Sequence, residues 1–127
     1  MTENKHILLV VDDDTLILNT LTKRFSNWDL NVYTATTQEE GRKILEAVTP
    51  EVVILDLLLK GEVSEGLLDY MQSQQRLADV PVLVLTNMDK PELRRVLLSR
   101  GVKEYIIKGS ISLDDLYKKV VGYLEPR

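Results

Sequence analysis

The sequence predicts an α/β fold in which a doubly wound five-stranded parallel sheet is covered by five helices. Several short apolar runs are rich in β-branched residues, which is typical of strands buried on both faces of a parallel sheet. These runs alternate with stretches whose apolar residues recur at helical spacing. Strands that alternate with helices form parallel sheets with right-handed crossovers, so the chain is expected to be an α/β sandwich.

The first half of the chain holds three predicted strands and two predicted helices. Asp14 suits the N-cap of the first helix, and Thr37-Gln38-Glu39-Glu40 has the pattern of a capping box at the start of the second. The third strand follows Pro50 and ends on a single carboxylate, Asp56. The predicted strands are 6–11, 31–35 and 52–55, and the predicted helices are 15–25 and 37–48.

The second half begins with a predicted loop over 60–66 and a helix through Leu67 and Met71. Pro91 favours the first turn of the next helix, and Gly101 favours its end. The remaining predicted strands are 80–85 and 103–107, and the remaining helices are 91–99 and 113–124. The only tryptophan, Trp28, follows the first helix and is expected to lie far from the carboxyl ends of the strands.

Composition limits the classes of protein that need consideration. The 127 residues suit a single domain, 1–127, and the net charge of -4 gives no basic bias toward nucleic acid or a membrane surface. There is no cysteine for a disulfide or thiolate site, and His6 is the only histidine. No apolar run approaches the roughly 18 residues of a membrane span, and residues 1–5 lack the pattern of a signal peptide. We therefore expect a cytoplasmic protein.

The residues at the carboxyl ends of the predicted strands suggest a chemistry. In a parallel sheet these ends meet at one rim, where open α/β sheets place their ligand crevice. The residues there are Asp12, Asp13, Asp56, Thr86 and Lys108. Three neighbouring carboxylates favour a hard cation, for which Mg²⁺ fits best. The lysine and the hydroxyl would contact phosphate oxygens, so the set suits phosphoryl transfer onto Asp56.

Each of these residues also has a purely structural interpretation. The acidic run 12–14 could cap a helix, Asp56 could belong to a turn, and Lys108 could be a solvated charge. Tyr105, on the fifth strand, would by default be packing. The functional interpretation depends on their coincidence at successive strand ends of one fold.

Four stretches of the sequence resemble the receiver domain of two-component response regulators, over essentially the whole chain. They are Ile7–Asp14, Val53–Leu57, Val80–Thr86 and Gly101–Lys108, in the order and at the spacing of that family. The resemblance implies a CheY-like, flavodoxin-like fold with strand order 2-1-3-4-5.

The resemblance also implies roles for residues. Asp56 is expected to accept a phosphoryl group from a sensor histidine kinase or a histidine phosphotransfer protein. Asp13, Asp56 and the backbone carbonyl of Leu58 are expected to coordinate Mg²⁺, with Asp12 helping through water. Lys108 would pair with the phosphoryl group. Thr86 would move toward that group and Tyr105 would turn inward, which remodels the face of the last two helices and the fifth strand.

Several positions depart from the family pattern. Lys60 stands where a proline is usual, in a loop about two residues longer than expected, and Asn87 is bulkier than the usual residue there. Gly109 replaces a proline that usually follows a cis peptide, so the geometry at Lys108 is open. Leu58 and Met88 are apolar and cannot orient an attacking water. We therefore predict a long-lived phosphorylated state, which a half-life of seconds would contradict.

Three other interpretations remain at this point. A haloacid-dehalogenase-like phosphatase would share Asp12–Leu16, but its nucleophile would fall on Val11. A flavodoxin-like cofactor binder would need a phosphate-cradling loop where the carboxylates stand. The main alternative is a receiver-like binding module that is not regulated by phosphorylation. We expect no enzymatic turnover beyond self-phosphorylation and slow autodephosphorylation. We also expect no output domain, a downstream protein target, no nucleic acid contact, and a monomer or weak homodimer.

Overall fold

A computed structural model describes residues 6–124, which form seven strands and five helices. The strands are β1 (His6–Val11), β2 (Leu30–Ala35), β3 (Val52–Leu55), β4 (Leu58–Leu59), β5 (Glu62–Val63), β6 (Val82–Thr86) and β7 (Glu104–Ile107). Five of them form one parallel sheet in the order β2-β1-β3-β6-β7. The predicted fold class and strand order are confirmed, with β6 and β7 as the fourth and fifth strands. The expectations about a signal peptide and an output domain fall on 1–5 and 125–127, outside the described residues.

The five helices lie close to their predicted positions. They are α1 (Thr15–Arg24), α2 (Gln38–Ala47), α3 (Glu65–Ser73), α4 (Pro91–Ser99) and α5 (Leu113–Leu124). Asp14 caps α1, since its side chain accepts a hydrogen bond from the Leu16 N–H. Thr37 caps α2 by accepting from the Glu40 N–H at 3.1 Å. No helix within this described part of the chain is both long enough and apolar enough to cross a membrane.

The core lies on the two faces of the sheet. Alternate residues of β1 point to opposite faces, as the two-residue period of a strand requires: Leu9 and Val11 pack with α2, α3 and α4, whereas Leu8 and Val10 pack with α1 and α5. The four residues of β3 are fully buried. Continuous apolar strands are needed here because helices cover both faces.

Gly41 allows α2 to approach the sheet closely. A Cβ atom at this position would lie 2.9 Å from Leu67 Cδ2 and 3.3 Å from Val11 Cγ2. These distances leave little space for a methyl group, so the missing side chain sets how closely α2 packs on β1 and α3.

Helices α1 and α5 meet through aromatic side chains. The Trp28 indole N–H donates to the Tyr117 hydroxyl at 3.1 Å, and the Phe25 ring contacts both rings. Arg24 lies over the Tyr117 ring and also pairs with Asp114. Trp28 lies between the carboxyl end of α1 and the start of β2. It is therefore far from the carboxyl ends of the strands, as the sequence predicts.

The segment predicted as a loop over 60–66 is different in the structure. Strands β4 and β5 pair antiparallel, with Leu58 opposite Val63 and Leu59 opposite Glu62, and α3 already begins at Glu65. The turn between the two strands consists of Lys60 and Gly61, which both have positive φ, 49° and 84°. A type I′ turn requires positive φ at both central residues, so a tight hairpin replaces the predicted loop.

Candidate functional site

The register of the sheet places the acidic residues at one rim. Val11 of β1 is paired with Leu55 of β3, so Asp12 and Asp56 follow at the same height. The Asp56 N–H donates to the Val11 carbonyl, which extends the ladder by one bond. Both aspartates are buried, at 0% and 4% exposure, so neither is an ordinary surface acid.

Lys108 follows the edge strand β7 and reaches these two aspartates across the end of β6. Its backbone N–H donates to the Thr86 carbonyl at 2.8 Å. Its Nζ atom is 3.0 Å from Asp12 Oδ1 and 2.8 Å from Asp56 Oδ2. Burial alone would lower the pKa of Lys108, but its hydrogen bonds to the two carboxylates outweigh burial and raise that pKa. The lysine is therefore held in its charged form.

The peptide after Lys108 is trans, since the described residues contain no cis peptide bond. The geometry that the sequence left open is therefore resolved for this chain. With this trans peptide bond to Gly109, the Nζ atom of Lys108 contacts both buried carboxylates.

Of the three acids, Asp12 is in the environment least favourable to a charged carboxylate. Burial raises the pKa of Asp12 to about 6, although hydrogen bonds from the Asp14 N–H and Lys108 act in the opposite direction. Its Oδ2 atom is buried and has no hydrogen-bond partner within the described chain. Carboxylate oxygens of Asp12, Asp13 and Asp56 lie within 4.8 Å of one another. An unpartnered buried oxygen in a cluster of three carboxylates is the donor set that a hard divalent cation prefers.

Asp13 is exposed and is held by the hairpin. The Lys60 N–H donates to Asp13 Oδ2 at 2.9 Å, and the Leu58 N–H donates to Asp56 Oδ1 at 3.1 Å. Two backbone groups of the hairpin therefore contact two of the three carboxylates. The sequence predicts an open loop at this position, and an open loop does not indicate that its backbone N–H groups would contact these carboxylates.

A pocket of about 290 Å³ opens over these side chains. Its walls include Asp13, Asp56, Thr86 and Lys108 together with Leu58, Gly61 and Met88. The site therefore brings together the predicted phosphoacceptor, lysine and hydroxyl, whereas the wall beside them is apolar at Leu58 and Met88.

The two residues predicted to act as a switch lie beside the pocket and behind it. Thr86 is fully buried, and its Oγ1 atom accepts from the Met88 N–H at 3.3 Å. Tyr105 is also buried, and its hydroxyl donates to the Met88 carbonyl at 2.5 Å. Burial, and next the nearby charge of Asp89, raise the pKa of Tyr105. The segment after β6 thus links the two side chains through one residue, Met88.

Ser64 is a site residue that the sequence analysis missed. It is fully buried, and its hydroxyl donates to the backbone carbonyl of Asp56 at 2.5 Å. Its N–H donates to the Leu57 carbonyl at 2.7 Å. Serine is common in loops, so its type carries no signal here. The Lys60-Gly61 pair, which follows two leucines and precedes Glu62-Val63, is the only sequence feature that could have indicated the hairpin that positions it.

Comparison with known proteins matches the sequence of this chain to one family. The profile of the response regulator receiver domain matches residues 8–121. A probable transcriptional regulator, ycf27, of Guillardia theta is 31% identical over 106 residues, which cover 84% of this chain and 41% of the relative. The chain spans less than half the length of the curated relatives that it matches.

Solved structures show the same fold. The non-phosphorylated HemR receiver domain from Leptospira biflexa has a TM-score of 0.84 at 24% identity, and 97% of each chain is covered. The Mn²⁺-bound form of response regulator Rcp1 has a TM-score of 0.77 at 21% identity, with 92% of this chain and 90% of that chain covered.

Proposed function

The chain belongs to the response regulator receiver domain family, and we propose that it works as a phosphoacceptor in which Asp56 takes a phosphoryl group from a phosphohistidine. Receiver domains are phosphoacceptors of two-component systems rather than turnover enzymes. The observation that carries the proposal is the position of Lys108 Nζ, which is within 3.0 Å of both Asp12 and Asp56, beside a pocket lined by Asp56 and Lys108.

In the proposed transfer, an Asp56 carboxylate oxygen attacks phosphorus as the bond from phosphorus to the donor imidazole nitrogen breaks. The imidazole leaves with the bonding electron pair, and an acyl phosphate remains on Asp56. Asp56 Oδ1 accepts the Leu58 N–H and Oδ2 accepts Lys108, so the carboxylate is already oriented. Lys108 also supplies a positive charge beside the position that the phosphoryl oxygens take.

The donor set fits the Mg²⁺ that receiver domains bind at an acidic pocket. Asp12, Asp13 and Asp56 would hold it, with the backbone carbonyl of Leu58 as a further oxygen ligand. When bound, the cation supplies charge that screens the carboxylates from the incoming phosphate. Response regulator Rcp1, which has this fold, is known in a Mn²⁺-bound form, and this supports the proposal of a divalent cation.

The proposed output is a change on the surface formed by α4, β7 and α5. Thr86 and Tyr105 both contact Met88, so a movement of the Thr86 hydroxyl toward a phosphoryl group would disturb the Tyr105 contact. Local charge changes of this kind act by biasing an element that can pack in two ways. We infer that the donor is a histidine kinase or phosphotransfer protein, and that the target is another protein.

The alternative of a phosphate-independent binding module is not favoured by any contact in the site. Its support was the replacement of proline by Gly109, and Lys108 contacts both aspartates in spite of that replacement.

Intact-mass measurement after incubation with acetyl phosphate and Mg²⁺ tests the proposal. The wild type is expected to gain one phosphoryl group, and D56N none. D79N is the matched control, because Asp79 is an exposed acid that precedes β6 and so lies at the amino ends of the strands, away from the rim. No adduct with acetyl phosphate, and no amide NMR change with beryllofluoride, would contradict the proposal.

A further inference from the structure

We propose that the hairpin of β4 and β5 is a positioning element of the cation site, in which the backbone N–H of Lys60 fixes the carboxylate of Asp13. The inference rests on the proposed function, because it concerns the cation that this function requires. It assigns a role to a hairpin that replaces the loop expected between Asp56 and α3.

The conformation of the turn determines where the Lys60 N–H points. Lys60 has a φ of 49°, which is unusual for a residue with a side chain, and Gly61 has a φ of 84°. The contact with Asp13 Oδ2, at 2.9 Å, is made by the backbone and not by the lysine side chain. A residue that adopts positive φ and keeps its N–H should therefore serve as well as lysine.

The base of the hairpin is fixed on two sides. On the sheet side, the Leu58 N–H and the Ser64 hydroxyl donate to the side chain and the backbone carbonyl of Asp56. On the helix side, the Gln38 amide donates to the Val63 carbonyl at 3.3 Å and accepts the Leu67 N–H at 3.1 Å. The turn is therefore held over the rim by both β3 and α2.

Asp13 depends on this support more than its two neighbours do. Asp12 and Asp56 are buried and contact Lys108, whereas Asp13 is exposed. An exposed side chain is free to occupy several rotamers unless a hydrogen bond selects one. The Lys60 N–H occupies Oδ2, which leaves Oδ1 available to a cation. Loss of an outer partner of a metal ligand typically lowers metal affinity by about 10–100-fold.

Mn²⁺ binding, followed by the electron paramagnetic resonance signal of the free ion, tests the proposal without any phosphorylation step. K60P removes the backbone N–H and forbids positive φ. K60G keeps the N–H, allows positive φ and removes only the side chain. We expect Mn²⁺ to bind K60P at least about tenfold more weakly than K60G. We expect K60G to bind like the wild type. Equal affinities of K60P and K60G would overturn the proposal.

A second pair of variants covers the case in which K60P does not fold. A Cβ at Gly61 would have no atom within 4 Å, so a substitution there creates no clash at that atom, and the valine and asparagine variants differ mainly in their tolerance of positive φ. G61V disfavours positive φ and is expected to weaken Mn²⁺ binding, whereas G61N tolerates positive φ and is expected to retain it. Circular dichroism confirms folding of each variant, and equal binding by this pair would overturn the proposal.

Hydrogen exchange in the wild type supplies an independent measurement. We expect the Lys60 amide to exchange more slowly than an unprotected amide, and exchange at the unprotected rate would overturn the proposal. The two proposals are separable, because D13N and D56N report on the cation site itself. If these variants lose Mn²⁺ and K60P does not, only the role of the hairpin fails. If the wild type binds no Mn²⁺, the cation site and the role of the hairpin both fail.

Discussion

Asp12 is the residue at which the site and the stability of the fold are in conflict. It is fully buried, one of its oxygens has no hydrogen-bond partner among residues 6–124, and burial raises its pKa to about 6. A buried carboxylate is costly unless it is paired, and Lys108 is shared between Asp12 and Asp56. The free protein therefore holds a charge that a bound cation would neutralise.

This conflict predicts a pH dependence of the cation-free protein. The folded state keeps the Asp12 proton up to about pH 6, whereas the unfolded chain releases it near the ordinary value of 3.8. Stability should therefore fall as pH rises through this window, by up to about 3 kcal/mol for this residue. We expect the stability of D12N relative to the wild type to increase from pH 4 to pH 7. Urea unfolding in EDTA measures the difference, and a constant difference would contradict it.

The apolar wall of the pocket predicts a second behaviour at the residue scale. The side chains of Leu58 and Met88 are apolar and offer no hydrogen bond to a water that approaches an acyl phosphate on Asp56. We expect L58N to lose its phosphoryl group faster than the wild type, and L58M, which stays apolar, to resemble the wild type. The decay of the phosphorylated mass after removal of acetyl phosphate measures both rates. Equal decay of L58N and L58M would exclude this role for Leu58.

At the scale of elements, the sequence predicts long periodic segments well and short ones poorly. The five main strands and all five helices are four or more residues long and carry either an apolar run or apolar residues at helical spacing, and each is present close to its predicted place. The hairpin has strands of two residues, too short for any period to be recognised. Two of its three apolar residues, Leu58 and Val63, are also exposed, so the rule that apolar residues are buried gives little help.

The site shows the same contrast. Asp12, Asp56 and Lys108 follow predicted strands directly, so their meeting at one rim could be anticipated from strand order. Ser64 contacts Asp56, and Gln38 contacts the hairpin, through hydrogen bonds that depend on where the hairpin folds back. These pairs are 8 and 25 residues apart in the sequence and have no local pattern.

The cap of α2 gives a prediction at this scale. Thr37 Oγ1 accepts the Glu40 N–H at 3.1 Å, and the Glu40 carboxylate accepts the Thr36 N–H at 2.8 Å. Replacement of such a cap by alanine typically costs about 1 kcal/mol. We expect T37A to lose about this much unfolding free energy, and T37S to lose much less because it keeps the hydroxyl. Chemical denaturation compares them, and equal stability of T37A and the wild type would show that the cap contributes nothing.

At the scale of the whole molecule, one sheet separates two cores, and strands with two buried faces contribute to both. Leu83 of β6 is fully buried between the sheet and the pair α1 and α5, whereas Val96 of α4 is half exposed. We expect L83A to destabilise the fold by about 2–5 kcal/mol and V96A by less than about 0.5 kcal/mol. Thermal and urea unfolding measure both, and a loss under about 1 kcal/mol for L83A would mean that the core refills the space.

The aromatic contact between α1 and α5 has an optical consequence. Trp28 is the only tryptophan of the chain, and its indole is hydrogen-bonded to Tyr117 on one of the helices that border the proposed output surface. The ultraviolet emission of the unlabelled protein therefore reports on how α5 sits against α1. A spectral change on phosphorylation would mean that α5 has moved, and a constant spectrum would confine the rearrangement to the rim, β7 and α4.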